Sequence, residues 1–157
     1  MSGLVKHRSG DVLTAYMGSD NSLTGLSQDR PNYDPGKSAY SRDANNAGKC
    51  AAGKSCVNWL NNNAFSTPTN TGPGTGFGNV VKGSFRGPGV SGWDAGVMRT
   101  FHVYENTSFE FRAEYFNVLN HTILANPNTT FTNSAFGTIT ATQGDPRIAQ
   151  FSLKFLY

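Results

Sequence analysis

The chain has 157 residues, a formal net charge of +3 and only 15% charged residues, so one domain is the expected organisation. Its Lys and Arg residues are scattered, which excludes a basic stripe suited to nucleic acid. Abundant Gly, Asn, Thr and Ser favour strands and turns, and no apolar run approaches the length of a membrane-spanning helix. Barrel strands alternate in polarity, however, so the negative mean hydropathy leaves a transmembrane β-barrel open.

The N-terminal residues 1–17 are predicted to form a strand hairpin. Residues 4–8 and 11–17 each suit a strand, and Ser9-Gly10 would supply the turn. The first ten residues lack the apolar core of a signal peptide. An outer-membrane protein needs such a peptide, so under a barrel interpretation we expect residues 1–157 to be a fragment of a longer protein.

Residues 18–92 are predicted to be a long loop region, because turn-forming residues recur throughout them. Examples are Asp34-Pro35-Gly36, Asn61-Asn62-Asn63 and the tract TGPGTGFGN. A structureless stretch of this length argues against a compact soluble domain, but it is acceptable among the extracellular loops of a large barrel.

The two cysteines, Cys50 and Cys56, lie six positions apart within this loop region. Close spacing in a polar loop indicates a disulfide in an oxidising compartment. The alternative is a pair of metal ligands, but no further Cys or His pair stands nearby to complete a site. We therefore favour the disulfide.

One segment matches a nucleotide-binding pattern. Gly48 to Ser55 reads GKCAAGKS, which fits the phosphate-loop pattern G-x-x-x-x-G-K-[ST]. A nucleotide site needs a buried strand before this loop and a helix after it. The preceding SRDANNA cannot be a buried strand, and the following segment is rich in Asn and interrupted by Pro68. We therefore expect no nucleotide to bind.

Residues 93–119 are predicted to form a second hairpin, with strands 93–104 and 107–119 joined by a tight turn at Glu105-Asn106. On the second strand, alternation places aromatic residues on one face and three charges on the other, namely Glu110, Arg112 and Glu114. This pattern suits a wall between lipid and a polar lumen, where the charges face the lumen, and it also suits a solvated sheet over a core.

The first strand of this hairpin has an apolar row that Arg99 interrupts. An Arg facing lipid at mid-membrane would cost about 2–4 kcal/mol. We therefore expect Arg99 either near an interface that its long side chain can reach or beside a bulge that turns it inward.

Residues 120–146 are predicted to be a long loop, and residues 147–157 a C-terminal strand. One parity of this strand is apolar and largely aromatic, and it comprises Ala149, Phe151, Leu153, Phe155 and Tyr157. The other parity carries Gln150, Ser152 and Lys154. An amphipathic strand that ends on an aromatic residue is typical of a bacterial outer-membrane barrel, and the alternative is the last strand of a soluble β-sandwich.

Nearly the whole chain, and most specifically residues 86–157, also carries a resemblance to a known family. Its markers are Arg86-Gly87-Pro88-Gly89, Trp93-Asp94, Phe111-Arg112-Ala113-Glu114, Phe116-Asn117 and Leu119-Asn120-His121. In these residues the chain resembles the C-terminal barrel region of TonB-dependent outer-membrane receptors, specifically the acidobacterial Oar-like group with a carboxypeptidase-regulatory-like N-terminal domain. The resemblance implies an all-β fold, in which antiparallel strands form the last part of a plugged barrel of about 22 strands with long extracellular loops.

The resemblance also implies a function. Such receptors take up a scarce nutrient, which is a ferric chelate, cobalamin or a glycan, and this chain would supply barrel wall, loops and a C-terminal assembly strand. The strand's apolar residues would be Phe151, Leu153, Phe155 and Tyr157. The implied partners are outer-membrane lipid, the barrel-assembly machinery and the remainder of the receptor, including its plug and, through it, TonB.

On this interpretation the chain lies in the bacterial outer membrane and has no catalytic residue, cofactor or metal ion. The alternative is a self-contained secreted β-sandwich or small-barrel module for binding or adhesion. The length of the chain would allow such a module, but the sequence predicts only about five strands, which are too few for either architecture.

Overall fold

The computed structural model describes residues 1–41, 50, 56–104 and 107–157. These residues form an all-β fold, and the paired strands are antiparallel, as the sequence predicted. The strands are β1 (Ser2–Arg8), β2 (Val12–Leu13), β3 (Asn32–Tyr33), β4 (Val57–Asn58), β5 (Phe65–Ser66), β6 (Phe85–Arg86), β7 (Val90–Tyr104), β8 (Thr107–Phe116), β9 (Thr138–Ile139) and β10 (Ile148–Leu156).

The chain divides into two compact units. The first, here called the sheet unit, comprises Met1–Ser9, Gly89–Leu124 and Thr142–Tyr157. The second, here called the loop unit, comprises Gly10–Pro88 and Ala125–Ala141. A 3-10 turn at Asn62–Ala64 is the one helical element in the described part of the chain. No helix among the described residues is long and apolar enough to cross a membrane.

The sheet unit is an open four-stranded sheet in the order β1-β7-β8-β10. The strands β7, β8 and β10 contain 15, 10 and 9 residues. A tilted strand of about 9–11 residues crosses the hydrocarbon core of a bilayer, so each of the three is long enough to span it. The pairing of the predicted strands 93–104, 107–119 and 147–157 as antiparallel neighbours is confirmed.

The two ends of the sheet differ in how the chain connects its strands. At one end Tyr104 of β7 pairs with Thr107 of β8, and Leu156, the last residue of β10, pairs with the neighbouring Ser108. At the other end Arg8 pairs with Val90, and Phe116 pairs with Ile148. Both long connections therefore start and finish at the same end of the sheet, which is the asymmetry of outer-membrane barrels.

The structure does not form the hairpin predicted for residues 1–17. β1 pairs with β7, so that Val5 lies opposite Trp93, whereas β2 pairs with β6. A two-residue hairpin turn requires positive φ at its central residues, and neither Ser9 nor Gly10 has positive φ.

Strand boundaries also differ slightly from the prediction. β7 begins at Val90, three residues earlier than predicted, because its first residues pair with β1. β8 ends at Phe116, because Asn117 adopts a left-handed conformation with φ of 50°. Asn117 donates its backbone N–H to Asp94 Oδ1 at 3.0 Å, which stabilises this ending.

The loop unit has a hydrophobic core of its own. The buried residues of this core are Ala15, Leu60, Ala64, Phe65, Val80, Phe85 and Phe136. The Phe65 ring makes edge-to-face contacts with Phe136 at 5.1 Å and with Phe85 at 5.3 Å. The described residues of 18–88, which lie within the predicted loop region 18–92, therefore form only short strands and one 3-10 turn, yet they pack around a core.

The core joins two segments that are distant in sequence. Phe136 comes from residues 125–141 and Phe65 from residues 10–88. The same two segments are also joined by backbone pairing, because Val57 of β4 lies opposite Ile139 of β9. The predicted long loop 120–146 therefore contains a strand, and its central part packs with the first long segment.

Polar side chains hold the irregular backbone of the loop unit. The buried Asp29 carboxylate accepts hydrogen bonds from the backbone N–H and the hydroxyl of Ser22 at 2.6 and 3.0 Å. Asp20 accepts hydrogen bonds from the backbone N–H groups of Thr24 and Gly25 at 3.0 and 2.7 Å. Desolvation raises the pKa of the Asp20 carboxyl, but the hydrogen bonds outweigh this effect and leave the pKa below its usual value.

We predict that Phe136→Ala destabilises both segments of the loop unit. Phe136 is fully buried, and a Phe→Ala change in a core costs about 3–5 kcal/mol. Backbone amides of residues 10–88 should therefore exchange hydrogen faster, although the substitution lies outside that segment. The matched control is Phe77→Ala, because this Phe is 60% exposed and its loss should change stability by less than about 0.5 kcal/mol. Faster exchange confined to residues 125–141 would contradict a shared core.

Candidate functional site

The first functional surface is one face of the sheet unit, here called the aromatic face. The register of β8 and β10 places Phe109 opposite Phe155 and Phe111 opposite Leu153. The rings of Phe109 and Phe155 lie 5.0 Å apart, and those of Tyr115 and Phe151 lie 5.7 Å apart. The prediction that the aromatic residues of the two strands share one face is confirmed.

Most of this face is exposed in the described chain. Large apolar or aromatic residues on this face that are at least one-third exposed include Val5, Trp93, Val97, Phe101, Phe111, Tyr115, Phe151, Leu153, Phe155 and Tyr157. Leu153 is 67% exposed and Phe151 is 59% exposed, values far from those of a buried core. A contiguous apolar surface of this kind suits contact with lipid, whose tails need no hydrogen bonds.

The opposite face of the sheet, here called the polar face, carries the charges that the sequence placed there. Arg112 Nη2 lies 3.6 Å from Glu110 Oε1, and Arg112 Nη1 lies 3.9 Å from Glu114 Oε1. On β10, Lys154, Ser152 and Gln150 stand opposite these three residues. Such exposed ion pairs contribute little stability, so what they provide is a hydrated and electrically mixed surface.

A second ion pair on the polar face was not found from the sequence. Lys6 Nζ lies 2.9 Å from Asp94 Oδ2 and joins β1 to β7. Because Asp94 also accepts the backbone N–H of Asn117, one carboxylate links β1, β7 and the end of β8. In the sequence, Asp94 stood out only as part of the Trp93-Asp94 marker. The contact with Lys6 depends on the pairing of β1 with β7, which the sequence did not predict.

Arg99 lies on the aromatic face. It stands opposite Phe111, and the irregularity in the β7–β8 pairing falls later, between His102 and Tyr104. The interpretation that a bulge turns Arg99 inward is therefore wrong. Its guanidinium carbon lies 5.2 Å from the centre of the Phe101 ring, which is two residues closer to the short connection. The side chain thus extends along the strand towards the end of the sheet, as expected for an arginine that reaches an interface.

The C-terminal strand lies at the edge of the sheet. β10 pairs with β8 on one side, and no other described strand pairs with its second side. All nine of its residues are exposed. Its apolar row, including Phe151, Leu153 and Phe155, continues the aromatic face of β8.

The structure joins Cys50 and Cys56 in a disulfide, with Cα atoms 5.8 Å apart. Cys50 also donates its backbone N–H to Asn58 Oδ1 at 3.1 Å, which connects the disulfide to β4. The phosphate-loop match, Gly48 to Ser55, lies outside the described residues except for Cys50. The turn at Glu105-Asn106 also lies outside them.

An antiparallel sheet with one exposed aromatic face, one charged face and both long connections at one end defines part of an outer-membrane β-barrel. The model of the outer membrane beta barrel domain family matches residues 1–150. The chain belongs to this family, and it is a protein of the outer membrane. No curated protein and no solved structure gives a significant match.

We predict that the native protein contains no free thiol. The chain has two cysteines, so labelling under denaturing conditions without reductant should modify neither, and labelling after reduction should modify both. Closing a loop this short stabilises it by about 2–3 kcal/mol at most, so reduction should loosen residues near β4 without unfolding the sheet. Cys50→Ser is the control and should expose one thiol. Two labelled cysteines in the unreduced native chain would contradict the disulfide.

Proposed function

We propose that the chain forms the C-terminal part of the barrel of a TonB-dependent transporter for a scarce nutrient, such as a ferric chelate, cobalamin or a glycan. The observation that carries this proposal is the open sheet with an aromatic and a polar face. Closed outer-membrane barrels need about eight strands or more, and the described residues supply a sheet of four, three of them long enough to span the bilayer. On this proposal further strands complete the barrel at the open edges of β1 and β10.

The long connections support a large receptor over a small barrel. Connections longer than about 12–15 residues are uncommon and usually functional, and residues 10–88 and 125–141 form a unit with its own core. The C-terminus lies at the end of the sheet where β7 and β8 connect directly, which is the periplasmic end in outer-membrane barrels. The long connections begin at the opposite end and would then be extracellular.

The proposal assigns a partner to each surface of the sheet. The aromatic face contacts outer-membrane lipid, and the polar face with Glu110, Arg112 and Glu114 faces the lumen and the plug. The barrel-assembly machinery reads β10, and TonB acts through the remainder of the receptor. The chain itself performs no catalysis and binds neither nucleic acid nor nucleotide.

A self-contained secreted sandwich would need to cover the aromatic face. The exposure of Phe151, Leu153 and Phe155 shows no such cover within the described residues. Water is a poor environment for these side chains, since each buried apolar side chain gains about 1.5–3 kcal/mol. The outer-membrane interpretation supplies lipid as the missing environment.

We predict that replacing Phe155 and Tyr157 by Ser impairs outer-membrane assembly. Both side chains belong to the apolar row of the C-terminal strand; the Phe155 ring packs against Phe109 at 5.0 Å and stacks on Tyr157 at 5.9 Å. The measurement is heat-modifiable migration of the protein from outer-membrane fractions. Matched changes at Gln150 and Ser152, which lie on the polar face, should leave assembly nearly unchanged. Equal assembly of both variant classes would show that β10 is not an assembly signal.

We predict that uptake by the native protein requires energy from the inner membrane. Cells with and without the gene are supplied with labelled ferric chelate, cobalamin or oligosaccharide. One class should accumulate only in cells with the gene, and a protonophore should abolish that accumulation. Gene-dependent accumulation that persists with the protonophore would indicate a passive channel and contradict the TonB assignment.

A further inference from the structure

The loop unit contains a small pocket between two aromatic rings and an arginine. Residues 39–41 run antiparallel to residues 59–61, and the Ser41 N–H donates to Trp59 O at 2.9 Å. This pairing brings Tyr40 and Trp59 together beside β6. The pocket has a volume of about 250 Å³ and is lined by Tyr40, Ser41, Trp59, Arg86 and Gly87.

The backbone of Arg86 fixes the orientation of both rings. Trp59 Nε1–H donates to Arg86 O at 2.8 Å, and the Arg86 N–H donates to Tyr40 Oη at 2.9 Å. The two rings stand 6.1 Å apart at 80° in an edge-to-face arrangement. Arg86 is itself held by pairing with Val12 in β2. The ring geometry is therefore set before any ligand arrives, which lowers the entropic cost of binding.

The groups offered to a ligand include ring faces, a hydroxyl donor and a cation. The indole N–H donates to Arg86 O and the tyrosine oxygen accepts from the Arg86 N–H, so these residues present their aromatic surfaces together with the Tyr40 O–H. The Arg86 side chain is exposed, and of its five N–H donors one bonds to Gly10 O at 3.3 Å. The other donors can engage an acceptor as a planar fork, the geometry that matches a carboxylate.

We propose that this pocket binds a six-membered ring that carries a carboxylate. The described lining contains a cation and no acidic side chain, which favours an anionic ligand. Drug-sized pockets measure about 300–1,000 Å³, so this smaller one suits a single ring. The ring lies against Trp59 and Tyr40, and its carboxylate pairs with Arg86.

Two sources share this chemistry, namely a uronic acid unit of an acidic polysaccharide and a free aromatic acid. The inference rests on the proposed function in one respect, namely that the ligand is the substrate class that the receptor takes up. The pocket geometry stands without it, and binding can be measured without transport.

The test uses the protein extracted from outer membranes in detergent, with binding measured by titration calorimetry. The probes are galacturonate and benzoate, each compared with its neutral counterpart, galactose or benzamide. Arg86→Gln removes the cation but keeps the backbone N–H and C=O that orient the rings. Lys82→Gln is the matched control, since Lys82 is an exposed cation of the same unit outside the pocket. Trp59→Ala tests the ring, with Phe77→Ala as its control.

We expect one charged probe to bind at least about 10-fold more tightly than its neutral counterpart, as charge-assisted bonds to Arg predict. Arg86→Gln should abolish this preference, Trp59→Ala should weaken the charged probe at least about 10-fold, and both controls should bind as the native protein does. Preference for galacturonate identifies the sugar acid as the source, and preference for benzoate identifies the aromatic acid.

The proposal is overturned if neither charged probe binds at concentrations up to about 10 mM, or if charged and neutral probes bind equally. An unchanged preference in Arg86→Gln would also overturn it, and heat-modifiable migration verifies that this variant is folded. If the probes bind but energised uptake is absent, the transporter proposal is refuted and the binding pocket is retained. If energised uptake occurs but no ring carboxylate binds, the binding pocket is refuted and the transporter proposal is retained.

Discussion

The register between β7, β8 and β10 is the constraint on which the other features of the sheet depend. Since side chains alternate along a strand, a shift of one residue would move every side chain to the opposite face. In the observed register Phe109 meets Phe155 while Glu110 meets Lys154, and the polar face carries apolar pairs only near the strand ends, at Ile148 with Phe116 and at Leu156 with Ser108. The matched register therefore separates an aromatic surface from a surface whose centre is charged.

A different principle organises the loop unit, because no period in its sequence specifies its core. Phe65, Phe85 and Phe136 meet through turns whose geometry depends on individual side-chain hydrogen bonds, such as those of Asp29 with Ser22. The β4–β9 pairing then joins two segments that lie far apart in sequence. The N–H groups of Trp59 and Leu60 also donate to Gly137 O at 2.8 and 3.0 Å, so the second segment helps to hold the backbone that carries Trp59.

Sequence reasoning succeeded where a local pattern decides structure. Alternation alone located the strands around Phe111 and Phe151 and placed Arg112 on the opposite face. It could not find the partner of β1, because strand pairing across more than 80 residues leaves no local signal. For the same reason the core around Phe136 and the pocket at Arg86 were missed, since both join residues from segments that appeared to be loop.

Because one face of the sheet is aromatic and the other is charged, few environments can accommodate both faces. Full solvation would expose the aromatic rings to water, whereas burial in a protein core would desolvate Glu110, Arg112, Glu114 and Lys154 at a cost of several kcal/mol per charge, on the order expected for buried ions. A boundary between hydrocarbon and a wet lumen avoids both penalties. Arg99 is the exception on the aromatic face, and its position over Phe101, towards the end of the sheet, reduces the cost of its charge. The lipid boundary therefore follows from the pairing of the strands together with the alternation of their side chains.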